Sequence, residues 1–422
     1  MKKNAKKKKR NQAPTAAQQR TLHLAEFIER NLLRFVFLEG MKAFDVVLEQ
    51  EQESLCGPAH QKGPEGAPVR WGHAEGRLVM GGQRVTVRKP RVRQAGKEVT
   101  LPSWEEFASE DPLNERALEQ MVLGVSTRGY ERSIESIPDE LDPHGNSKSA
   151  ASRRFVSTTQ EQLDAWSGRD LSKLGIVAIM IDGIVIKQHT VIVALGIDDK
   201  GMKQPLGLWL GATENSKICG ELLDNLIERN LDMQCPYLFV IDGSKALRKA
   251  ILDRFGKRVL VQRCQEHKRR NVLDHLPKDL HRSVSKMIGD AYRSKSKATA
   301  KKRLLQLAGQ LLEDHPDAVA SLKEGLEETL TLKDMALSQS LERTLSTTNP
   351  IENLNSTIRR VLRRVKRWRS GTMVKRWVAA GVLEAQRGFR RLRGYKGIPA
   401  IVQVLSRHAE QIDRVDAHQE VA

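Results

Sequence analysis

The stretch from 176 to 263 restricts the possible folds more than any other part of this chain. Three apolar segments occur at 176–181, 189–196 and 205–211, and the connections between them are short, with Asp198-Asp199-Lys200-Gly201 as a turn. Segments of this length and spacing predict three antiparallel strands in a meander.

Strands and helices alternate after the meander. Apolar segments at 237–241 and 259–263 are separated by a predicted helix from Ser244 to Gly256, and further helices are predicted to begin at Ser216 and near Gln265. Alternation of this kind indicates parallel strands joined by crossover helices. The complete order predicts an α/β fold with a ribonuclease H-like topology, in which the first and fourth strands lie side by side.

The charge balance indicates a polyanionic partner. The 422 residues include 71 Lys and Arg against 52 Asp and Glu, which gives a formal net charge of +19. Nucleic acid fits this excess better than a membrane surface does, and no run approaches the ~18 apolar residues that a membrane span needs. Residues 1–17 form a basic tail, which is either a disordered solubilising segment or an anchor on the DNA backbone. Four scattered cysteines and the lack of a secretory signal predict a cytoplasmic protein.

The region before the strands combines helical and period-two patterns. Residues 18–53 predict one or two amphipathic helices with Leu32 and Phe35 on the buried face. Residues 70–101 alternate in period two around Gly81-Gly82, which predicts a small sheet. Its basic residues are either a charged solvent face or a ribbon that contacts phosphates. They are Arg84, Arg88, Lys89, Arg91 and Arg93.

A helix-turn-helix candidate follows. The stretch 126–141 and a second helix that opens at Ser147 or Ser149 flank the turn at 142–146. The second helix would present three basic residues to a major groove. These are Lys148, Arg153 and Arg154. The alternative is a helical hairpin that binds nothing.

Two matching tripeptides carry the first candidate catalytic residues, Ile181-Asp182-Gly183 and Ile241-Asp242-Gly243. Each aspartate follows an apolar strand, and an Asp-Gly pair alone is explained by a turn. The predicted topology, however, places the two strands side by side. Adjacent carboxylates repel each other, and a hard divalent cation such as Mg²⁺ relieves that repulsion.

A third carboxylate comes from a helix that Asn349 is predicted to cap, with Pro350 in its first turn and Glu352 three residues after the cap. One interpretation of Glu352 is the far half of a capping box. The other is that Asp182, Asp242 and Glu352 hold two Mg²⁺ ions, with Mn²⁺ as a substitute. Such a pair activates the attacking oxygen and stabilises the leaving oxygen of an in-line phosphoryl displacement.

Several stretches in combination resemble the Mutator-type family of bacterial insertion-sequence transposases, which use an Asp-Asp-Glu triad. The most specific are MIDGIVI (180–186), LFVIDGSKALRKAI (238–251), VQRCQEHKRRNV (261–272) and TTNPIENLNSTIRR (347–360). The resemblance covers most of residues 75–395. It implies that Asp182, Asp242 and Glu352 are the catalytic residues and the metal ligands.

The same resemblance implies strand cleavage by water at terminal inverted repeats and attack of a DNA 3′-OH on target DNA. The expected partners are double-stranded DNA and a second copy of the chain on paired ends, in the bacterial cytoplasm at the nucleoid. Two alternatives are a metal-dependent nuclease or resolvase of the same fold, and a DNA-binding regulator without activity. A regulator would have lost the acids, and all three are present.

Cys264-x-x-His267 looks like a signature of that family. A zinc site needs about four ligands, and no second pair with suitable spacing lies nearby in the sequence. We therefore predict that Cys264 packs at the end of a strand and that His267 reaches toward the acids or the DNA.

Basic residues near the predicted acids indicate a channel for the DNA backbone. They are Lys268, Arg269, Arg270, Arg359, Arg360, Arg363, Arg364 and Arg367.

The patterning divides the chain into consecutive segments. The helical spacing of 276–345, which has no strand signal, predicts an all-helical insertion in the core. Before the core, we predict a basic disordered tail at 1–17, a helical and small-sheet DNA-binding region at 18–124 and a helix-turn-helix-like segment at 125–172. The ribonuclease H-like core comprises a first part at 173–275, the insertion at 276–345, and the catalytic helix and basic helices that complete it at 346–395. A C-terminal helix or tail follows at 396–422.

Overall fold

The computed structural model describes residues 16–61, 63–80, 83–109, 112–126, 129–134, 137–138, 141, 147–211, 216–363 and 365–420. The chain divides into two compact units, Met1–Thr158 and Thr159–Ala422. None of the helices described in these ranges is long and apolar enough to cross a membrane.

The first unit contains one small sheet and several helices. Its elements are α1 (Ala16–Cys56), β1 (Val69–Met80), β2 (Gln83–Gln94), β3 (Lys97–Val99), α2 (Pro102–Ser109) and α3 (Pro112–Leu123), followed by the start of α4 (Lys148–Ser167). The strands pair antiparallel in the order β1-β2-β3, as the period-two pattern predicts. Val85 and Val87 alternate into a core that also contains Val92, after a change of phase in the burial pattern of β2, and Met41 and Leu48 of α1.

The prediction of which face of α1 is buried is wrong. It is a single continuous helix, but Leu32 and Phe35 are 60% and 62% exposed, so they do not lie on the buried face. The buried stripe instead runs through Met41 and Leu48, which lie on the opposite side of the helix. The turn residues Gly81-Gly82 lie outside the described residues.

The first helix of the predicted helix-turn-helix is not observed in the described residues. Where the structure describes 126–141, it contains short turns, among them the 3-10 helix Glu131–Ser133, and no α-helix. The second helix, α4, begins at Lys148 as predicted, and the backbone N–H of Ala150 donates to Oγ of Ser147 at 3.2 Å. The predicted turn at 142–146 lies outside the described residues.

The second unit is organised around a five-stranded sheet. Its strands are β4 (Ile176–Ile186), β5 (His189–Asp198), β6 (Lys203–Gly211), β7 (Leu238–Ile241) and β8 (Leu260–Arg263). The spatial order is β6-β5-β4-β7-β8. Strand β5 runs antiparallel to β4 and β6, whereas β4, β7 and β8 are parallel. The predicted meander and the predicted adjacency of the first and fourth strands are therefore confirmed.

Helices cover both faces of this sheet. They are α5 (Ser216–Glu228), α6 (Lys245–Phe255), α7 (Gln265–Leu273), α8 (Lys278–Tyr292), α9 (Lys297–Leu311), α10 (Pro316–Lys323), α11 (Gln339–Leu345), α12 (Asn349–Leu362), α13 (Gly371–Arg387) and α14 (Ile398–Glu420). Residues of α5 and α6 pack with Ile179 and Phe239 on one face. Residues of α12, α13 and α14 pack with Met180 and Val240 on the other face, because successive strand side chains point to opposite sides.

The residues from 276 to 345 form helices and 3-10 turns with a core of their own. Leu304 and Leu307 of α9 pack there with Val284 and Ile288 of α8. The 3-10 segment Glu327–Met335 then covers the edge strand β8. Gln262 of β8 donates to the carbonyl of Thr329 at 2.9 Å and accepts from the backbone N–H of Leu332 at 3.1 Å, so these polar groups of the edge are satisfied.

Candidate active site

Two parallel strands position the first two acids. Met180 of β4 is paired with Val240 of β7. Two residues further along the chain lie Asp182, which is still in β4, and Asp242, which directly follows β7. Alternation places both aspartates on the face of Met180 and Val240, which α12 covers. The backbone N–H of Gly183 donates to Oδ1 of Asp182, and that of Ser244 donates to Oδ1 of Asp242, both at 2.9 Å.

The acids interact electrostatically. Burial, followed by the neighbouring Asp242 carboxylate, raises the pKa of Asp182 above its ordinary value, and Glu352 raises it further. The hydrogen bond from Gly183 and the nearby His267 work in the opposite direction without cancelling the rise in pKa. Burial and the two neighbouring carboxylates therefore disfavour the ionised form of Asp182.

Glu352 reaches the same site from the first turn of α12. The residue that precedes the helix is Thr348, one position earlier than the predicted cap Asn349. The Thr348 hydroxyl donates to Oε1 of Glu352 at 2.8 Å, and the Thr348 backbone N–H donates to Sγ of Cys264 at 3.4 Å. With Thr348 as the cap, Ile351 rather than Glu352 is the third residue of the helix, and the Thr348 backbone N–H is bound by Cys264. The capping-box interpretation is therefore not observed.

Cys264 and His267 hold this end of α12. Cys264 is fully buried after β8, and its Sγ accepts from the backbone N–H of His267 at 3.5 Å. Nδ1 of His267 lies 3.2 Å from Oγ1 of Thr348 and 3.9 Å from Oε1 of Glu352. Because the single hydroxyl hydrogen of Thr348 is nearest the carboxylate, Nδ1 of His267 is assigned as the donor to Thr348. His267 reaches the acidic site, as the sequence predicts.

The pKa values of this pair move in opposite directions. Burial acts to raise the pKa of the Cys264 thiol, but hydrogen bonds from His267 and Thr348 outweigh it and lower that pKa. The hydrogen bond with Cys264 raises the pKa of His267 against the effect of burial, and the charges of Asp242 and Glu352 add to the rise. Each of these two side chains therefore favours the charged form of the other.

Asn355 was not predicted from the sequence. It lies on α12 one turn after Glu352 and is buried, and its Nδ2 donates to Oδ2 of Asp182 at 2.6 Å. The spacing of three residues, which puts both side chains on one side of a helix, is the signal that identifies it.

Within the described ranges, no group of three or more His, Cys, Asp or Glu side chains is arranged to hold a metal ion.

A family model described as "Transposase, Mutator family" matches residues 10–391. The chain belongs to the Mutator family of transposases. This transposase is 26% identical over 376 residues to the "Transposase for insertion sequence element IS256 in transposon Tn4001" of Staphylococcus aureus, an alignment that covers 85% of this chain and 90% of the relative.

Two further relatives show similar levels of identity. The transposase is 29% identical to that for insertion sequence element ISRM5 of Rhizobium meliloti, over 74% of this chain and 78% of the relative. It is 27% identical to that for IS6120 of Mycolicibacterium smegmatis, over 56% of this chain and 72% of the relative.

Most of the basic residues predicted to bind DNA lie at the surface of the transposase. The exposed ones are Lys148, Arg153, Arg270, Arg359, Arg360, Arg363 and Arg367. Arg154 and Arg269 are half-buried, and Arg269 forms an ion pair with Glu266. Arg364 lies outside the described residues.

Lys268 is buried, contrary to the prediction that it contacts DNA. It is only 4% exposed, and its Nζ donates to the carbonyls of Ser321 at 2.6 Å and Glu324 at 2.7 Å. Lys268 lies four residues after Cys264 and four before Val272, so it shares the buried face of α7. The ammonium group links α7 to α10 and is withdrawn from the predicted DNA channel.

Lys268 and Arg270 are expected to respond differently to replacement by methionine. Lys268→Met removes two hydrogen bonds that a charged group donates to the carbonyls of Ser321 and Glu324, so the free energy of unfolding should fall by about 2–4 kcal/mol. Arg270→Met should change it by less than ~0.5 kcal/mol and should weaken binding to duplex DNA. Urea unfolding and fluorescence anisotropy with labelled DNA measure the two effects. A stable Lys268→Met protein with weakened DNA binding would place Lys268 in the DNA channel after all.

The basic strand β2 has partners within its own unit. Arg91 forms an ion pair with Glu98 at 2.8 Å, Lys89 lies 5.0 Å from the ring centroid of Trp104, and Arg93 lies 4.6 Å from that of Trp71. These contacts favour the charged-face interpretation of β2 over the phosphate-contacting ribbon.

Proposed function

We propose that this transposase belongs to an insertion sequence, binds its terminal inverted repeats, and cuts and transfers DNA strands by in-line phosphoryl transfer. The observation that carries the proposal is geometric: Asp182 and Asp242 lie two residues beyond the paired Met180 and Val240, and Asn355 of α12, the helix that carries Glu352, is hydrogen-bonded to Asp182. Membership of the family and similarity to named insertion-sequence transposases support the same reaction.

We infer that the catalytic domain is ribonuclease H-like. The support is the strand order β6-β5-β4-β7-β8, in which a three-stranded antiparallel meander continues into two parallel strands. The helical residues between α7 and α12 are then an insertion between the second and third acids of the triad.

The donor set fits a hard divalent cation. Asp182, Asp242 and Glu352 supply oxygen ligands only, which Mg²⁺ prefers, and the hydrogen bonds to Asp182 come from the neutral groups of Gly183 and Asn355. We infer that these residues hold two Mg²⁺ ions, or Mn²⁺ in their place. Bound ions would activate the attacking oxygen and stabilise the leaving oxygen.

Neutral groups orient each carboxylate for this role. Gly183 and Asn355 hold the two oxygens of Asp182, Ser244 holds one oxygen of Asp242, and Thr348 holds one of Glu352. Backbone amides, a hydroxyl and a side-chain amide fix the carboxylates without neutralising them. The negative charge therefore stays available for cations.

The reaction needs two DNA ends held together, so we infer that the active species is a homodimer on double-stranded DNA at the bacterial nucleoid, in the cytoplasm. Exposed arginines of the α12 region, including Arg359, Arg360 and Arg363, offer a surface for the phosphate backbone. Light scattering of the protein with and without end DNA measures the stoichiometry, and a monomer on paired ends would contradict the dimer.

Two assays test the proposed activity. The first measures Mg²⁺- or Mn²⁺-dependent nicking of an oligonucleotide that carries the terminal inverted repeat. The second measures joining of a 3′-OH end to plasmid DNA. Nicking with joining is the expected result. Nicking without joining would indicate a nuclease, and DNA binding without either reaction would overturn the proposal.

Binding to DNA is expected to depend steeply on salt. A protein that neutralises several phosphates loses about 10³–10⁵ in affinity between 50 and 200 mM salt. Anisotropy measured over a KCl series gives the slope, and Arg360→Met should reduce it by about one unit of log affinity per log salt. A flat salt response would contradict a basic DNA surface.

A further inference from the structure

Asn355 connects the element that carries Glu352 to the strand that carries Asp182. Its Nδ2 donates to Oδ2 of Asp182 at 2.6 Å, and the side chain is only 1% exposed. Asn355 follows Glu352 by three residues on α12. One helical turn therefore carries the predicted metal ligand Glu352 and the amide that is hydrogen-bonded to the predicted ligand Asp182.

The contact fixes the direction of the Asp182 carboxylate. Oδ1 accepts from the backbone N–H of Gly183 at 2.9 Å, and Oδ2 accepts from Asn355. The first bond comes from β4 itself and the second from α12. The carboxylate is therefore oriented relative to both elements, and rotation about its last bond would break a hydrogen bond.

The other half of the amide has no partner. Oδ1 of Asn355 is buried and accepts no hydrogen bond from the residues that the structure describes. An ionised carboxylate only accepts, so the NH₂ group must face Asp182 and the carbonyl cannot exchange places with it. A buried carbonyl without a donor is unfavourable, and such groups need an explanation other than stability.

The chemistry of an amide suits a role beside a cation site. Lysine or arginine at this position would neutralise Asp182, and aspartate would add a fourth negative charge to the three acids of the site. An amide orients one oxygen of Asp182 and leaves its charge unchanged.

We propose that Asn355 is a positioning residue that sets the Asp182 carboxylate relative to Glu352 for binding of divalent cations. The inference rests on the proposed function. Loss of the amide lets the Asp182 carboxylate rotate away from its position opposite α12, so cation affinity falls while the DNA surface is unaffected.

The test compares the full-length protein with its Asn355→Ala and Asn355→Leu variants. Leucine has the same number and branching of side-chain heavy atoms as asparagine, so it removes the hydrogen bond without creating a cavity. Removal of groups that orient metal ligands typically weakens metal affinity about 10–100-fold. We expect both variants to raise the Mn²⁺ dissociation constant by that factor in calorimetry without DNA, and to raise the Mg²⁺ concentration for half-maximal nicking similarly.

Asn353→Ala is the matched control, because Asn353 is an exposed asparagine on the same helix. It should bind Mn²⁺ and nick DNA as the wild type does. Anisotropy with DNA should be unchanged in all variants.

The outcomes are separable. Wild-type Mn²⁺ affinity in Asn355→Leu would overturn the inference and leave the proposed function intact. Loss of the folded state in both Asn355 variants, seen by circular dichroism, would assign the residue to stability and would also overturn it. A wild-type protein that neither binds Mn²⁺ nor nicks DNA would overturn the proposed function itself.

Discussion

Asp182→Asn, Asp242→Asn and Glu352→Gln are each expected to lower metal-dependent nicking by at least ~1,000-fold while DNA affinity stays within about twofold. Metal ions contribute several kcal/mol to charge stabilisation in a phosphoryl-transfer transition state, and each 1.36 kcal/mol is a factor of ten in rate. Each replacement preserves the shape of the side chain and removes its charge. Rates of oligonucleotide nicking at saturating Mg²⁺ and anisotropy with the same DNA measure the two quantities.

The stability of the variants toward urea distinguishes a catalytic role of the acids from a structural one. Burial and the neighbouring Asp242 carboxylate raise the pKa of Asp182, so the ionised form disfavours folding at neutral pH. Asp182→Asn removes that ionised group, and its unfolding midpoint in urea should be no lower than that of the wild type. Asp199→Asn is the control, because Asp199 is an exposed aspartate in the turn after β5, and this variant should keep full nicking activity. Full nicking by any of the three triad variants would contradict the proposed triad.

Arg263→Met is expected to lower the free energy of unfolding by about 2–4 kcal/mol, because it removes one of the two cations that pair with a partly buried carboxylate. Nε of Arg263, at the end of β8, donates to Oε2 of Glu328 at 2.6 Å, and the arginine side chain is only 6% exposed. Arg248 of α6 pairs with the same carboxylate. Gly325 lies beside this guanidinium with a φ of +59°, and a Cβ there would come within 2.5 Å of it. The ion pair therefore connects the sheet to the segment that closes its edge.

A second variant and a control sharpen this test. Arg263→Met/Glu328→Met removes both charges, so it should lose less stability than the two single variants added together. Arg387→Met breaks an exposed pair with Glu384 and should change the free energy of unfolding by less than ~0.5 kcal/mol. Urea unfolding followed by tryptophan fluorescence measures all of these proteins. Equal effects of Arg263→Met and Arg387→Met would show that the network does not stabilise the fold.

The order of the strands and the meeting of two acids were predictable from the sequence for one physical reason. A strand alternates its side chains, and apolar runs with short connections leave few ways to pair. Asp182 and Asp242 each follow an isoleucine at the same point of two adjacent strands, so their neighbouring positions could be predicted. The reach of His267 toward the acids follows in the same way, from its place just after the last parallel strand.

Burial and partners at a distance could not be predicted in that way. Lys268 and Arg270 look alike in sequence, yet one is enclosed by α10 and the other is exposed. Leu32 and Phe35 fit a buried face by their spacing, but the sheet packs on the opposite side of α1. Which face of a helix is covered depends on elements far away in the chain.

The sequence by itself determined the strand order, the positions of the acids and the excess of positive charge, because local periodicity and composition carry that information. Only the tertiary structure decided that Asn355 holds Asp182, that Thr348 holds Glu352, and that Lys268 is enclosed within the protein. Asn355 is 173 residues from its partner in the chain, and a hydrogen bond of 2.6 Å over that separation exists only once β4 and α12 have packed together.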